Sequence, residues 1–257
     1  MIFFGIKNTV FLLIRMEFLR FFREPSRLIA MIVQPLLFLA VFGAGFQQNF
    51  VIEGRPEISY IAFFFPGILA MVVLFCSIYS TLTLVEDKAT GFFSYVMQGP
   101  GGIFGAILGK SAATTILAFL QAMLFLPLML FLPIELGRVN FSLLLLALLI
   151  GSIAFSLAGV MLAWFSKTVS VFHAVMSIIL LPSWLLSGAM FPLDGNRFFW
   201  FLKLVNPMCF FVSILRSCII DYGFDTQKDW ILISIFLVVL IVSFFIIFME
   251  EKRVYAR

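Results

Sequence analysis

Six apolar runs, residues 28–46, 61–85, 111–134, 141–165, 170–191 and 231–249, alternate with shorter polar breaks along the chain. Each holds 19–25 residues. At about 1.5 Å per helical residue even the shortest reaches across the roughly 30 Å of bilayer hydrocarbon. The pattern predicts an all-α polytopic membrane protein with six transmembrane helices, and the breaks carry whatever acts outside the bilayer.

Ahead of the first run, residues 1–27 predict an amphipathic helix. On a helical wheel Phe11, Ile14, Phe18, Phe21 and Phe22 share one face, and Glu17, Arg20, Arg23 and Glu24 share the other. Such a helix lies along the interface instead of crossing it. A cleavable signal peptide is the competing view. Its apolar core would be confined to Phe11–Ile14, too short for one. Pro25 turns the chain into the first run.

Residues 86–110, EDKATGFFSYVMQGPGGIFGAILGK, form the longest break in the first half. Phe92, Phe93, Val96 and Met97 fall on one side of a short helix and Ser94, Tyr95 and Gln98 on the other. The run Gly99-Pro100-Gly101-Gly102 stops it. This gives either a short amphipathic helix beneath the membrane or an ordinary solvated loop. Gly101, Gly105 and Gly109, four residues apart, provide close packing against a neighbouring helix or simple flexibility after the turn.

The connection 192–230 is far from hydrophilic. Its segments RFFWFLKLV (197–205) and MCFFVSILRSCII (208–220) are too short to cross. They predict a re-entrant helical hairpin on the outer side, between the fifth and sixth spans, with Asn206-Pro207 at its corner and Pro207 in the first helical position. Trp200 and Trp230 would anchor it at headgroup level. An interfacial loop is the plainer alternative.

Composition agrees with the membrane reading, since 63% of the 257 residues are hydrophobic and 12% charged, against roughly 25% charged in a soluble domain. The distribution of charge sets orientation. With the N-terminus inside, eleven basic residues fall on the cytosolic side and six on the outer, four of these in the 192–230 connection. Both termini are therefore expected in the cytosol. Within these boundaries none of the six spans carries Asp, Glu, Lys or Arg, so nothing resembles the intramembrane ion relay of a coupled carrier. Gln34, Gln121 and His173 are the notable polar members. The glutamines can hydrogen-bond between helices or line a path, and His173 reads as a packed or interfacial residue.

Catalytic chemistry is not legible. Gly109-Lys110-Ser111 lacks the earlier glycine of a phosphate loop, Phe104 standing in its place. One histidine makes a histidine-based zinc site or an HExxH enzyme impossible. Cys76, Cys209 and Cys218 have no metal-ligand spacing and are expected as unlinked thiols. No catalytic, metal or nucleic-acid site is expected in this chain. The second function class, a membrane-embedded lipid-modifying enzyme or a non-transporting scaffold subunit, would have to use Asp194, Asp221, Asp225 or Asp229 without a histidine partner.

LVEDKATGFFSYVMQGP (84–100) followed by ILGK (107–110) resembles the cytosolic signature of ABC type-2 transporter permeases: an acidic pair, a glycine, an apolar patch, a proline, then Gly-Lys. LPSWLLSGAMFPLDGNRFFWFLKLVNPMCFFVSILR (181–216) resembles that family's second signature, built on Leu-Ser-Gly, Phe-Pro, Asn-Pro and a later Arg. One departure is Gly99, where the family often has serine. The resemblance implies a single type-2 transmembrane domain over 1–257, the permease of an ATP-driven exporter in the cytoplasmic (inner) membrane. Two copies of a separate ATP-binding subunit, holding ATP and magnesium, would drive it, with a second copy of this chain (a homodimer) or a related permease beside it among the membrane lipids. It implies further that Glu17, Arg20 and Arg23 face the ATPase from the N-terminal helix, and that Glu86, Asp87, Gly91, Phe92 and Pro100 form the coupling loop. Gly188, Phe191, Pro192, Asn206, Pro207 and Arg216 would shape the outer hairpin that closes the exit side. The cargo expected is hydrophobic or amphipathic: a lipid, a lipid-linked glycan or a drug. No substrate-binding residue is assigned.

Overall fold

The computed structural model describes residues 2–46, 58–193, 201 and 205–221, with scattered positions between 230 and 242. Among these every regular element is helical. In chain order they are α1 (Ile2–Arg23), α2 (Pro25–Phe46), α3 (Tyr60–Ser80), α4 (Leu82–Ala89), α5 (Phe92–Met97), α6 (Gly102–Phe125), α7 (Phe141–Phe165), α8 (Val169–Leu185) and α9 (Pro207–Ile220). Two short 3-10 turns, Leu126–Phe131 and Leu136–Arg138, join α6 to α7.

Among the described residues four stretches are long and apolar enough to cross a membrane: Leu28–Phe46, Tyr60–Ala89, Gly102–Phe131 and Phe141–Phe165. α8 and α9 are shorter, 17 and 14 residues, about 25 Å and 21 Å of helix. Most of the predicted 231–249 span, the first limb of the 192–230 hairpin, Trp200, Asp194, Asp225 and Asp229 lie outside the described residues.

The bundle is built around α3. Its sequence has no polar face, and a helix apolar all round is stable only when surrounded; Phe63, Phe64, Phe65, Ile68, Leu69 and Val73 are fully buried. α2, α6, α7, α8 and α9 all pack on it. α2 is peripheral by contrast, with Ile29, Leu37 and Val41 exposed on its outer side.

Three expected boundaries move. α6 begins at Gly102, nine residues before the predicted span, because the glycine turn ends there and nothing after it opposes helix. The last part of the 86–110 break is therefore helical, and Lys110 lies inside α6. At the first end of that break, Glu86, Asp87 and Lys88 belong to α4. α8 stops at Leu185, six residues before the predicted Phe191, where the chain turns through Gly188 at φ +79°, a conformation glycine adopts without a Cβ penalty.

The helix ends follow local chemistry. Asn206 caps α9, its side-chain oxygen accepting from the Met208 N–H, and Pro207 occupies the first turn, where no amide donor is needed. Thr168 and Asn140 cap α8 and α7 in the same way.

Inside α2, Pro35 has no N–H, which deprives the Met31 carbonyl of its helical donor. Gln121 of α6 supplies the replacement, its Nε2 donating to Met31 O at 2.8 Å. The interhelical bond anticipated for Gln121 exists for this reason. A Pro35→Ala change restores the helical donor, so Gln121→Leu is expected to cost about 1 kcal/mol less in the Pro35→Ala background than alone. A double-mutant cycle on unfolding free energy measures the coupling; strict additivity would contradict it.

Candidate functional site

The N-terminal helix packs on α6 along one line of positions. Gly5, Thr9, Leu13 and Glu17, four residues apart, are its buried side, and they meet the α6 glycine stripe. A Cβ at Gly109 would come within 2.8 Å of Leu13 Cδ1, and one at Gly105 within 3.4 Å of Thr9 Cβ. The small residues bring the two backbones together, as between helices in membranes. Of the two readings of Gly101, Gly105 and Gly109, close packing is the one realised.

That approach seals a cluster of charges. The Lys110 ammonium sits 2.5 Å from Glu17 Oε1 and 2.6 Å from Asp87 Oδ2, and it also donates to Thr83 Oγ1 at 3.0 Å. Thr83 in turn donates to Glu17 Oε2 at 2.8 Å. Arg20 closes the ring, 2.9 Å from Asp87 and 3.4 Å from Glu17. Lys110, Glu17 and Asp87 are 1%, 3% and 5% exposed and Arg20 32%. Two cations and two carboxylates balance, and each carboxylate meets both cations, which is the condition under which buried charge is tolerated. Burial works against the Arg20 charge, but the hydrogen bond and field of Asp87, with Glu17 and Glu86 behind it, outweigh that and raise its pKa above the ordinary arginine value.

α1, α4 and α6 are thereby tied at one end of the bundle. α4 is tied to α7 as well: Lys88 donates to the carbonyls of Ala163, Trp164 and Ser166, the unpaired acceptors at that helix's end. Its ammonium lies 5.5 Å from the Trp164 ring, and Phe93 packs edge-on to the same ring. Gly91, at φ +78°, makes the turn into α5. That helix splits as its sequence predicts, with Phe93 buried and Ser94, Tyr95 and Gln98 exposed, Tyr95 at 77%.

The predicted coupling residues therefore divide into two groups. Arg23, Glu86, Gly91 and Pro100 are exposed and Phe92 is half-buried beneath the Arg20 guanidinium, 5.6 Å from its ring centre. Glu17 and Asp87 are turned inward, which corrects the helical-wheel expectation that Glu17 shares an outward face with Arg23. The wheel assumes water on the polar side, whereas the α6 lysine is there. Lys110 and Thr83 were not singled out as site residues, although the Gly-Lys that closes the cytosolic signature contains the lysine.

The other end of α3 lies about 30 Å away, twenty residues along α3 and α4. There Arg216 is 3% exposed, donating to Gly188 O at 2.8 Å, Ala189 O at 3.5 Å and Phe63 O at 3.4 Å. Its guanidinium stacks 3.7 Å from the Phe63 ring centre. Asn206 donates to Ser183 O, Cys209 Sγ–H to Leu186 O, and Trp184 Nε1–H to Gly67 O. α9 thus holds the turn after α8 by its backbone carbonyls. Gly188, Asn206, Pro207 and Arg216 gather here; Phe191 is exposed and Pro192 half-buried at its edge. Cys76, Cys209 and Cys218 are buried and in no disulfide. Among the described residues no group of His, Cys, Asp and Glu could hold a metal ion.

The sequence description of the ABC-2 type transporter family matches residues 8–220. A protein of Cyanophora paradoxa named "Putative transport permease ycf38" is 30% identical over 216 residues, 81% of this chain and 73% of that relative. One of Porphyra purpurea with the same name is 31% identical over 112 residues, 43% of this chain and 38% of its own.

Proposed function

This chain belongs to the ABC-2 type transporter family and is a multi-pass membrane permease, and from that premise we propose that it is the transmembrane half of an ATP-driven exporter for a hydrophobic or amphipathic cargo. A separate ATP-binding subunit in two copies supplies the energy, with ATP and magnesium bound there. This chain pairs with a second copy of itself in the cytoplasmic membrane, with the N-terminus, the C-terminus and the α4–α5 corner in the cytosol.

The observation that carries the reading is the exposed face of α5 set beside the buried ion ring. Ser94, Tyr95, Gln98 and Glu86 offer a docking surface of aromatic and polar groups. Directly behind it, charges bind α1, α4 and α6 together, and Lys88 binds α4 to α7. A push on α5 therefore moves a block of helices, not a loop, and rigid helices carry small shifts over long distances. Glu17 and Asp87 act as the pins of that block; Glu86, Phe92, Arg23 and the α5 face meet the partner. The knot around Arg216 holds the far, outer end of the same helices.

Tyr95→Ala combined with Gln98→Ala is expected to lower permease-stimulated ATP turnover at least tenfold, with the thermal midpoint of the purified chain unchanged because both side chains are exposed. Stimulation equal to that of the unaltered protein would refute docking through α5.

A further inference from the structure

A cavity of about 340 Å³ lies between α2, α3 and α6, with His173 of α8 on its margin. Its rim is exposed and polar, formed by Glu24, Ser26 and His173. Its floor is buried: Met31, Pro35, Met71, Val72, Cys76 and Gln121. Phe75 and Tyr79, their rings stacked 5.9 Å apart, form part of one wall. From Glu24 to Pro35 is eleven residues, about 16 Å along a helix, so the cavity descends roughly the depth of one leaflet.

One atom in the floor is unsatisfied. Gln121 is 6% exposed, and its Oε1 has no hydrogen-bond partner. The amide orientation is fixed by chemistry, because the Met31 carbonyl can only accept and so takes the nitrogen. The oxygen therefore remains as an acceptor in an apolar floor, where an unmade hydrogen bond is unfavourable. Gln34 lines the same level from α2. Glu24 is the one charged side chain of the lining, which contains no lysine or arginine. Among the described residues His173, at the rim, is the only side chain of the lining that could carry a positive charge, and the floor holds none.

We propose that this cavity is a binding site for an uncharged amphiphile bearing hydroxyl donors, its polar head held by Gln121 Oε1 and Gln34 and its apolar part lying along Val72, Met71 and Phe75. The volume is that of a small-ligand site, apolar with a few placed polar groups. On the orientation proposed above the cavity faces the cytosolic leaflet. Only the identification of this amphiphile with the cargo rests on the exporter reading; occupancy of the cavity does not.

The test is photolabelling of the full chain in nanodiscs, without ATPase or nucleotide, using a diazirine-bearing monoacylglycerol. Labels are expected on the peptides containing Met31 and Met71–Tyr79. Ala30→Phe, which fills the cavity from an exposed α2 position, and Gln34→Leu should each cut labelling at least fivefold without moving the thermal midpoint. The matching acyl methyl ester, which has no hydroxyl, and a lysophosphatidic acid probe should label several-fold more weakly. Labelling undiminished by Ala30→Phe, or equal for the three probes, would overturn the assignment. The exporter reading fails separately: cavity labelling as expected, with no ATP-dependent outward movement of cargo by the chain and its ATP-binding partner in vesicles, keeps the site and removes the exporter role.

Discussion

Lys110→Met is expected to be the most damaging single change at the end where α1, α4 and α6 meet. It keeps the side chain's length and helix propensity but leaves Glu17 and Asp87, both almost fully buried, with Arg20 as their only counter-charge in the ring. Breaking a buried ion network from one side typically costs about 3–5 kcal/mol, because the desolvated charge left behind has no compensation. The loss should be local first, with α1 peeling from α6 since Glu17 lies on the interface. Cys76 reports this directly. It is buried in the apolar cluster of Met31, Leu117 and Ala118 against which Phe18 and Phe21 of α1 pack. In a variant retaining Cys76 as its one thiol, the temperature at which a thiol-reactive dye gains access should fall by 10 °C or so.

The second half of that experiment separates charge balance from packing. Glu17→Gln added to Lys110→Met removes the excess carboxylate, leaving Arg20 and Asp87 as a balanced pair. The double variant should recover most of the lost stability. If it were as unstable as the single one, the methylene packing of the lysine rather than its charge would be what holds α1. The recovered protein is also the informative one for mechanism, since it keeps the fold while loosening the pins between the docking face and α6. On the proposed function, it should stimulate ATP turnover by the ATP-binding subunit less than the unaltered chain does.

Arg216→Lys should produce the corresponding failure at the opposite end. The change keeps a positive charge and a long stem, so a role in electrostatics alone predicts little effect. The geometry predicts more. The guanidinium serves the carbonyls of Phe63, Gly188 and Ala189 while lying flat on the Phe63 ring, and an ammonium cannot reproduce a planar fork or the stacking. Hydrogen bonds to charged groups contribute about 1.5–3 kcal/mol each, so a loss of about 3 kcal/mol is expected. In variants that each retain a single thiol, Cys209 and Cys218 should become dye-accessible at a lower temperature than Cys76, whereas Lys110→Met should expose Cys76 first. Simultaneous exposure of all three thiols in both variants would mean that the bundle melts as one unit and that its ends are not separately fastened.

Much of the architecture follows from short-range rules and was readable in advance. The α5 helix and its two faces depend on six consecutive residues and the Gly-Pro-Gly-Gly stop beyond them. The start of α9 depends on an asparagine cap next to a proline, and the helical character of the apolar runs on their length and composition. Gly101, Gly105 and Gly109 were compatible with a close contact or with simple flexibility, and only the packing of α1 on them decided for contact.

What could not be read concerns pairs of residues far apart in the chain. Glu17 and Lys110 are separated by 93 positions, and each alone has the ordinary aspect of a solvated charge: one on the polar side of an amphipathic helix, the other in a break between apolar runs. The early start of α6 lifts Lys110 onto a helix, and the glycine stripe brings α1 over it. Arg216 was named through the family resemblance alone, and its partners, two carbonyls of the Gly188 turn and one of α3, come from segments far away in the chain. Gln121 was flagged as a polar residue in a span, yet only its pairing with the carbonyl beneath Pro35 shows which of its two amide atoms remains unused.

The chain by itself determined that the protein is helical, that it is made for a membrane, and where many of its helices are capped or broken, because hydrophobic length, proline, glycine and capping residues act on their immediate neighbours. Only the tertiary structure decided which charges are buried, which helices move as one block and where a cavity remains. Those outcomes depend on desolvation and contact between distant segments, and a charged side chain has no fixed meaning until it is known whether water or another side chain stands opposite.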